Sequence, residues 1–362
     1  MTGSTNPRYF AASNSCKGFC NYYGDIFTDT RTDRLYIIKG GPGTGKSHFM
    51  KVVARHARGR GYRVTEYACS SDPASLDGVI LTREGAPTLG LLDGTAPHVR
   101  EPSLPGAREE IVNLGVFWDS RRLAGQSETI RRLAAEKAAA YDRAYAYLAA
   151  CGAVDRAADS LMEGCIRGER LGALADRILR PLPRGEGGTP VPALRRALGM
   201  TGQVCLHTFE REAAERGGTI LVAEDYYGIA SRLTRALFER SAVAGHRLWV
   251  SYDPAYPHKI DGLFYPDTGL CVLAGHAEPP EGAVTRTLSL RRYVDPEALR
   301  AVRGELRRTA AFRDSLTESA LGQLAGAAAC HFELESIYAA AMDFARKEDF
   351  CEAFCREVLA GT

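Results

Sequence analysis

The sequence predicts an α/β fold, with parallel sheets in two tandem units that each carry a helical hairpin. Three observations lead there. A short apolar run, Leu35–Ile38, enters a glycine-rich turn and then a helical pattern. The same succession returns 184 residues later. A long Arg/Ala-rich helical stretch follows each occurrence. The length of 362 residues suits two domains, at about 100–200 residues apiece. With 45% hydrophobic and 25% charged residues, each can bury a core without disulfides or metals.

Leu35–Ile38 reads as a buried strand because it is continuously apolar. Gly40 to Ser47 then fits G-x-x-x-x-G-K-[ST]. Glycines let the backbone wrap a phosphate chain with N–H groups inward, and the following helix adds its positive dipole end. Phe49, Met50, Val52, Val53 and Ala57 recur at helical spacing, and Gly59 and Gly61 end that helix. The units are therefore expected to be P-loop NTPase-like. Gly41, Pro42, Gly43, Thr44, Gly45, Lys46, Ser47 and His48 form the expected nucleotide cradle. Lys46 is expected on the β- and γ-phosphates, and the Ser47 hydroxyl on Mg²⁺.

A second strand runs from Tyr62 to Cys69, followed by Ser-Ser-Asp72-Pro73. A third, from Thr88, ends in Asp93. An acid at the tip of a neighbouring strand serves Mg²⁺ through water, so Asp93 is the second expected metal residue. No Glu follows Asp93. Asp72 is therefore an alternative base, for water or for a substrate hydroxyl, although an Asp before Pro also forms turns. His98 either faces this cleft or fixes a turn beside Pro97.

The repeat sets Leu35–Ile38 on Thr219–Val222, Pro73 on Pro257 and Asp77-Gly78 on Asp261-Gly262. After a three-residue deletion Asp93 falls on Ala274. Where the first unit has its glycine loop, the second reads Glu224-Asp-Tyr-Tyr-Gly-Ile-Ala-Ser231. Ala230 replaces the lysine, and two carboxylates stand where phosphate would lie. The second unit is expected to be non-catalytic. Trp118-Asp-Ser and Val294-Asp-Pro each open a long helix, and further helical stretches cover roughly 153–180 and 331–358. The expected organisation is residues 1–181, a Pro/Gly linker at 182–192, and residues 193–362. Arg121, Arg122, Arg131 and Arg132 begin this hairpin, where they either line a solvated face or close like a lid over the γ-phosphate.

These motifs occur together with Arg-Tyr-Phe at 8–10, Lys-Gly-Phe at 17–19, Cys69-Ser-Ser-Asp-Pro-x-Ser-Leu-Asp-Gly78 and Leu-Asp93-Gly-Thr-Ala-Pro-His98. In that combination the chain resembles a poorly characterised family of bacterial tandem P-loop ATPases, mostly from clostridia and bacilli. The resemblance is strongest from 8 to 120. It implies ATP as the nucleotide, bound through Gly41 to Ser47, and supplies no substrate. Relatives often keep a P-loop in both halves, from which the second half here departs.

The expected function is Mg²⁺-dependent ATP binding with slow hydrolysis at the first loop. The alternatives are a small-molecule kinase with Asp72 as base, and a nucleotide-gated module whose second half meets a small-molecule or protein partner. Net charge is +2, from 46 basic and 44 acidic residues, and no aromatic–basic interleaving stands out. That disfavours nucleic acid as a partner. No apolar run approaches a membrane span, so the expected location is the cytoplasm. Ten cysteines are then reduced. Cys16, Cys20, Cys351 and Cys355 read as small buried hydrophobes rather than as a metal set, and Cys69 as a thiol that nucleotide would protect. Only seven residues are lysine (Lys17, Lys39, Lys46, Lys51, Lys137, Lys259, Lys347). In so arginine-rich a chain each deserves a structural reason.

Overall fold

A computed structural model describes residues 6–200, 202–275 and 277–360. The first half runs β1 (Arg8–Phe10), β2 (Ala12–Ser15), β3 (Gly18–Asn21), α1 (Tyr23–Ile26), β4 (Arg34–Lys39), α2 (Lys46–Gly59), β5 (Arg63–Ala68), β6 (Leu76–Thr82), β7 (Leu89–Asp93) and β8 (Glu109–Asn113). Helices α3 (Ser120–Ala124), α4 (Ser127–Glu163) and α5 (Gly168–Leu179) follow. The second half runs β9 (Val191–Pro192), β10 (Arg196–Gly199), β11 (Gly202–Cys205), α6 (Thr208–Glu215), β12 (Thr219–Ala223), α7 (Ile229–Ala244), β13 (Trp249–Tyr252), β14 (Ile260–Tyr265), β15 (Leu270–Ala274) and β16 (Val284–Leu288). It closes with α8 (Pro296–Ala340) and α9 (Phe344–Ala360).

Two six-stranded sheets carry the fold, in the orders β1-β5-β6-β7-β4-β8 and β9-β13-β14-β15-β12-β16. In each, one strand (β6 or β14) runs against the other five. The sheets are thus mixed and mostly parallel, in an α/β protein that is about 47% helix. Strand β6 was not anticipated. Gly78 and Asp77 break its apolar pattern, yet it is buried on both sides. Gly78 is required there, because a Cβ would lie 2.7 Å from the Phe27 ring.

The sheets share a core. Leu35, Ile37 and Tyr67 of the first meet Ile220, Phe264 and Leu273 of the second in one buried apolar cluster. Helix α2 covers the outer face of the first sheet, placing Phe49, Met50, Val52 and Val53 inside. Helix α7 does the same for the second with Ile229, Leu233 and Leu237.

The helical hairpin expected within each unit does not form. Helix α4 is one unbroken rod of 37 residues, and its partner is α8, of 45. They run antiparallel: Arg143 Nε donates to Gln323 at 2.6 Å, and Cys151 Sγ lies 3.6 Å from Thr317 Oγ1. Each rod crosses to the other sheet. Helix α5 packs on α7, while α9 packs on α2, where Cys351, Phe354, Cys355 and Leu359 join the first core. Burial of each large apolar side chain stabilises by about 1.5–3 kcal/mol, so neither sheet's outer layer is complete without the distant helix. The crossings are reciprocal. Asp119 N–H donates to Ala341 O at 2.8 Å, and Asp295 N–H to Cys165 O at 2.7 Å. Both aspartates also cap their helices through side-chain oxygens. Near the chain start, Phe10 and Leu194, 184 positions apart, exchange backbone hydrogen bonds at 2.8 and 3.1 Å. Among the described residues no helix is long and apolar enough to cross a membrane.

Candidate functional site

The glycine loop leaves β4 and enters α2. Gly43 (φ 69°) and Gly45 (φ 79°) are left-handed, a conformation that strains residues with a Cβ. Gly45 caps α2 without a side-chain hydrogen bond. The first-turn amides of α2 therefore keep their donors for an anion. Strands β4 and β7 pair in parallel with Ile38 opposite Asp93, which delivers loop and carboxylate to the same sheet edge. Lys46 Nζ donates to Gly40 O at 3.1 Å and Gly41 O at 2.9 Å, and lies 3.6 Å from Asp93 Oδ2. Asp93 Oδ1 accepts from the amide and hydroxyl of Thr95. Ser47 Oγ accepts from the Leu76 amide at 2.9 Å, and Thr44 Oγ1 donates to Gly41 O. Pro42 lies in the turn itself. His48 is more than half exposed, with Nδ1 3.1 Å from Lys347 Nζ. Asp72 forms a local turn, accepting from Ala74 N at 3.0 Å and Ser75 Oγ at 2.6 Å.

The long helices cover this loop. A Cβ at Gly41 would lie 3.0 Å from the Tyr338 ring, and one at Gly43 would strike the Glu335 carbonyl. Lys347 of α9 is buried, and its Nζ approaches Gly45. Two more basic groups face the loop. Lys137 of α4 is held below the usual lysine range by burial, with Lys46 adding repulsion. His331 of α8 is pushed down to about 4 by burial, then by Lys137 and Lys46, with Asp72 opposing. One signal for these residues was readable beforehand, the scarcity of lysine. Lys46, Lys137 and Lys347 all converge here. The arginines left open between a lid and a solvated face lie on the surface. Arg121, Arg122, Arg131 and Arg132 are exposed, and Arg132 pairs with Glu136 one turn on. Cys69 is also unlike the expected reporter, since burial pushes its thiol well up and makes it a poor nucleophile.

Behind Asp93 lie Asp77 and His98; the sequence left His98 undecided between cleft and turn. Both side chains are nine-tenths buried or more. Tyr23 Oη donates to Asp77 Oδ2 at 3.0 Å, and His98 Nε2 stands 3.8 Å from the same oxygen. One ligand atom each from Asp77, Asp93 and His98 falls within 4.8 Å of the others.

A cavity of about 410 Å³ lies elsewhere, at the second sheet. Asp225, Gly228, Ser231 and Ala274 line it, together with Asp155 and Asp159 from α4 and Arg313 from α8. Here Asp225 accepts from Gly228 N at 3.3 Å and Ala230 N at 3.2 Å. Its carboxylate occupies the helix start that an anion would need. Lys259 Nζ sits between Asp155 (2.7 Å) and Asp159 (3.1 Å). No protein-family model, curated protein or solved structure matches the chain.

Proposed function

We propose that the protein is a duplicated P-loop NTPase-like unit with one working site, which binds ATP with Mg²⁺ and hydrolyses it slowly. One contrast carries this reading. Helix α2 begins with free amides beside Lys46 and Asp93, whereas α7 begins with Asp225 already seated on its amides. The matching strand orders and reciprocal crossings support duplication.

The residues fit the nucleotide. Gly41 to Ser47 would hold the phosphates, with Lys46 leaving the loop carbonyls to meet them. Ser47 Oγ and Asp93 would face Mg²⁺. Bound Mg²⁺ neutralises charge on the β- and γ-oxygens. Lys46, with Lys137 close by, supplies positive charge as the γ-phosphate departs. Lys347 and Tyr338 exclude water from the loop's outer side.

Two further readings remain as alternatives. In a small-molecule kinase Asp72 would be the base, but both of its oxygens are engaged within its own turn. A nucleotide-gated binding module is favoured by the helices that cover the loop and also line the second cavity. Phosphate release with and without Mg²⁺, on the whole chain and on Lys46→Ala, tests the reading. Lys46→Ala should weaken ATP binding at least about ten-fold and cut turnover about 10²–10³-fold. Equal activity in both chains would exclude it.

A further inference from the structure

In the second sheet, Asp261 is the counterpart of Asp77: both are the second residue of the reversed strand, and both are buried. Asp261 is compensated within the chain. Arg195 Nε approaches it at 2.7 Å, and Arg196 adds its guanidinium. The residues 184 positions earlier than these arginines are Ala11 and Ala12. Asp77 receives a neutral phenol instead, and a second carboxylate, Asp93, lies beside it. Lys46 stands 3.6 Å from Asp93, but among the described residues no lysine or arginine pairs with Asp77, so this close pair of buried carboxylates lacks a cation on Asp77's side.

His98 points to its form. Its side chain is only 8% exposed, packed between the Phe19 and Tyr23 rings at 5.3 and 5.2 Å. Nδ1 is buried without a partner. Nε2 faces Asp77 Oδ2 at 3.8 Å, too long for a hydrogen bond. It suits two ligands of one metal ion, each about 2.0–2.2 Å from it. Mg²⁺ demands oxygen ligands, whereas a mixed set suits Zn²⁺ or Fe²⁺ through its imidazole and Mn²⁺ through its two carboxylates.

We propose that Asp77, Asp93 and His98 form a site for a transition-metal dication of the Mn²⁺ or Zn²⁺ class, immediately behind the glycine loop. The site fills with metal alone and does not rest on nucleotide binding. Its nearest edge is Asp93, which it shares with the loop, so occupancy would alter how that carboxylate meets Lys46.

Mn²⁺ is the probe, because thiols compete for it weakly. Titration of the full chain without nucleotide, followed by the electron paramagnetic resonance of free Mn²⁺, should give one ion per chain. Spin-echo spectra of the bound ion should show ¹⁴N modulation from one imidazole. His98→Gln should remove that modulation and weaken binding about 10–100-fold. Asp77→Asn should weaken it similarly, with circular dichroism checking that each variant folds. Mg²⁺ should displace Mn²⁺ only in large excess. Absence of stoichiometric uptake, nitrogen modulation that survives in His98→Gln, or equal competition by Mg²⁺ would each overturn the site. A chain that binds Mn²⁺ in this way but no ATP would leave the site standing and remove the nucleotide reading.

Discussion

Lys46 illustrates how single residues decide the chemistry. It lies folded onto the carbonyls of its own loop, 3.6 Å from Asp93, so a phosphate has to outcompete two neutral carbonyls and one carboxylate. Asp225 shows the opposite solution. It caps α7 from within, and Asp225→Ala should destabilise the chain by about 1 kcal/mol, within the range for lost caps. Urea denaturation measures this. The same variant should gain no ATP site, because Ala230 still replaces the lysine. His331 sets a pH signature. Its ordinary value is about 6.5, and burial with Lys137 and Lys46 takes it down to about 4. Between those values the unfolded chain holds a proton that the fold refuses, so stability falls as pH falls through that window. His331→Gln should lose less stability than the parent between pH 7.5 and 4.5, in denaturation midpoints measured at both. An equal loss would show that His331 is not held neutral.

At the scale of elements, the helices α8 and α9 act on a loop they do not belong to. Tyr338 and Glu335 lie against Gly41 and Gly43, so on the proposed reading this end of α8 has to shift for a nucleotide to enter. Tyr338→Ala should speed association of a fluorescent ATP analogue several-fold in stopped flow, and an unchanged rate would mean that α8 is no barrier. Local patterns made the site's floor legible. Leu35–Ile38, the glycine loop and the α2 stripe are all short-range signals, and Asp93 ends an unbroken apolar strand. The walls were not legible. Lys137 and His331 sit on long helices whose Ala/Arg pattern leaves several faces equally acceptable. Which face meets the loop depends on a helix almost two hundred residues away. Strand β6 was missed because Asp77 and Gly78, which break its pattern, are there for a buried contact with Tyr23 and Phe27.

At the scale of the molecule, the repeat in the sequence corresponds to two sheets of the same strand order. What the repeat did not reveal is the exchange. Because α5 completes the second sheet's outer layer and α9 the first's, residues 1–181 alone would expose the α2 face that Phe354 and Leu359 cover. That fragment should aggregate or remain uncooperative in gel filtration and thermal melts. A stable, cooperatively folding monomer would contradict the interdependence. The exchange also ties the glycine loop and the second cavity to the same pair of rods, although only the glycine loop leaves its helix start without a side-chain cap. Calorimetric titration of the whole chain with ATP and Mg²⁺ tests that asymmetry most directly. One site per chain, abolished by Lys46→Ala, is the predicted result; two sites, or one that survives Lys46→Ala, would contradict it.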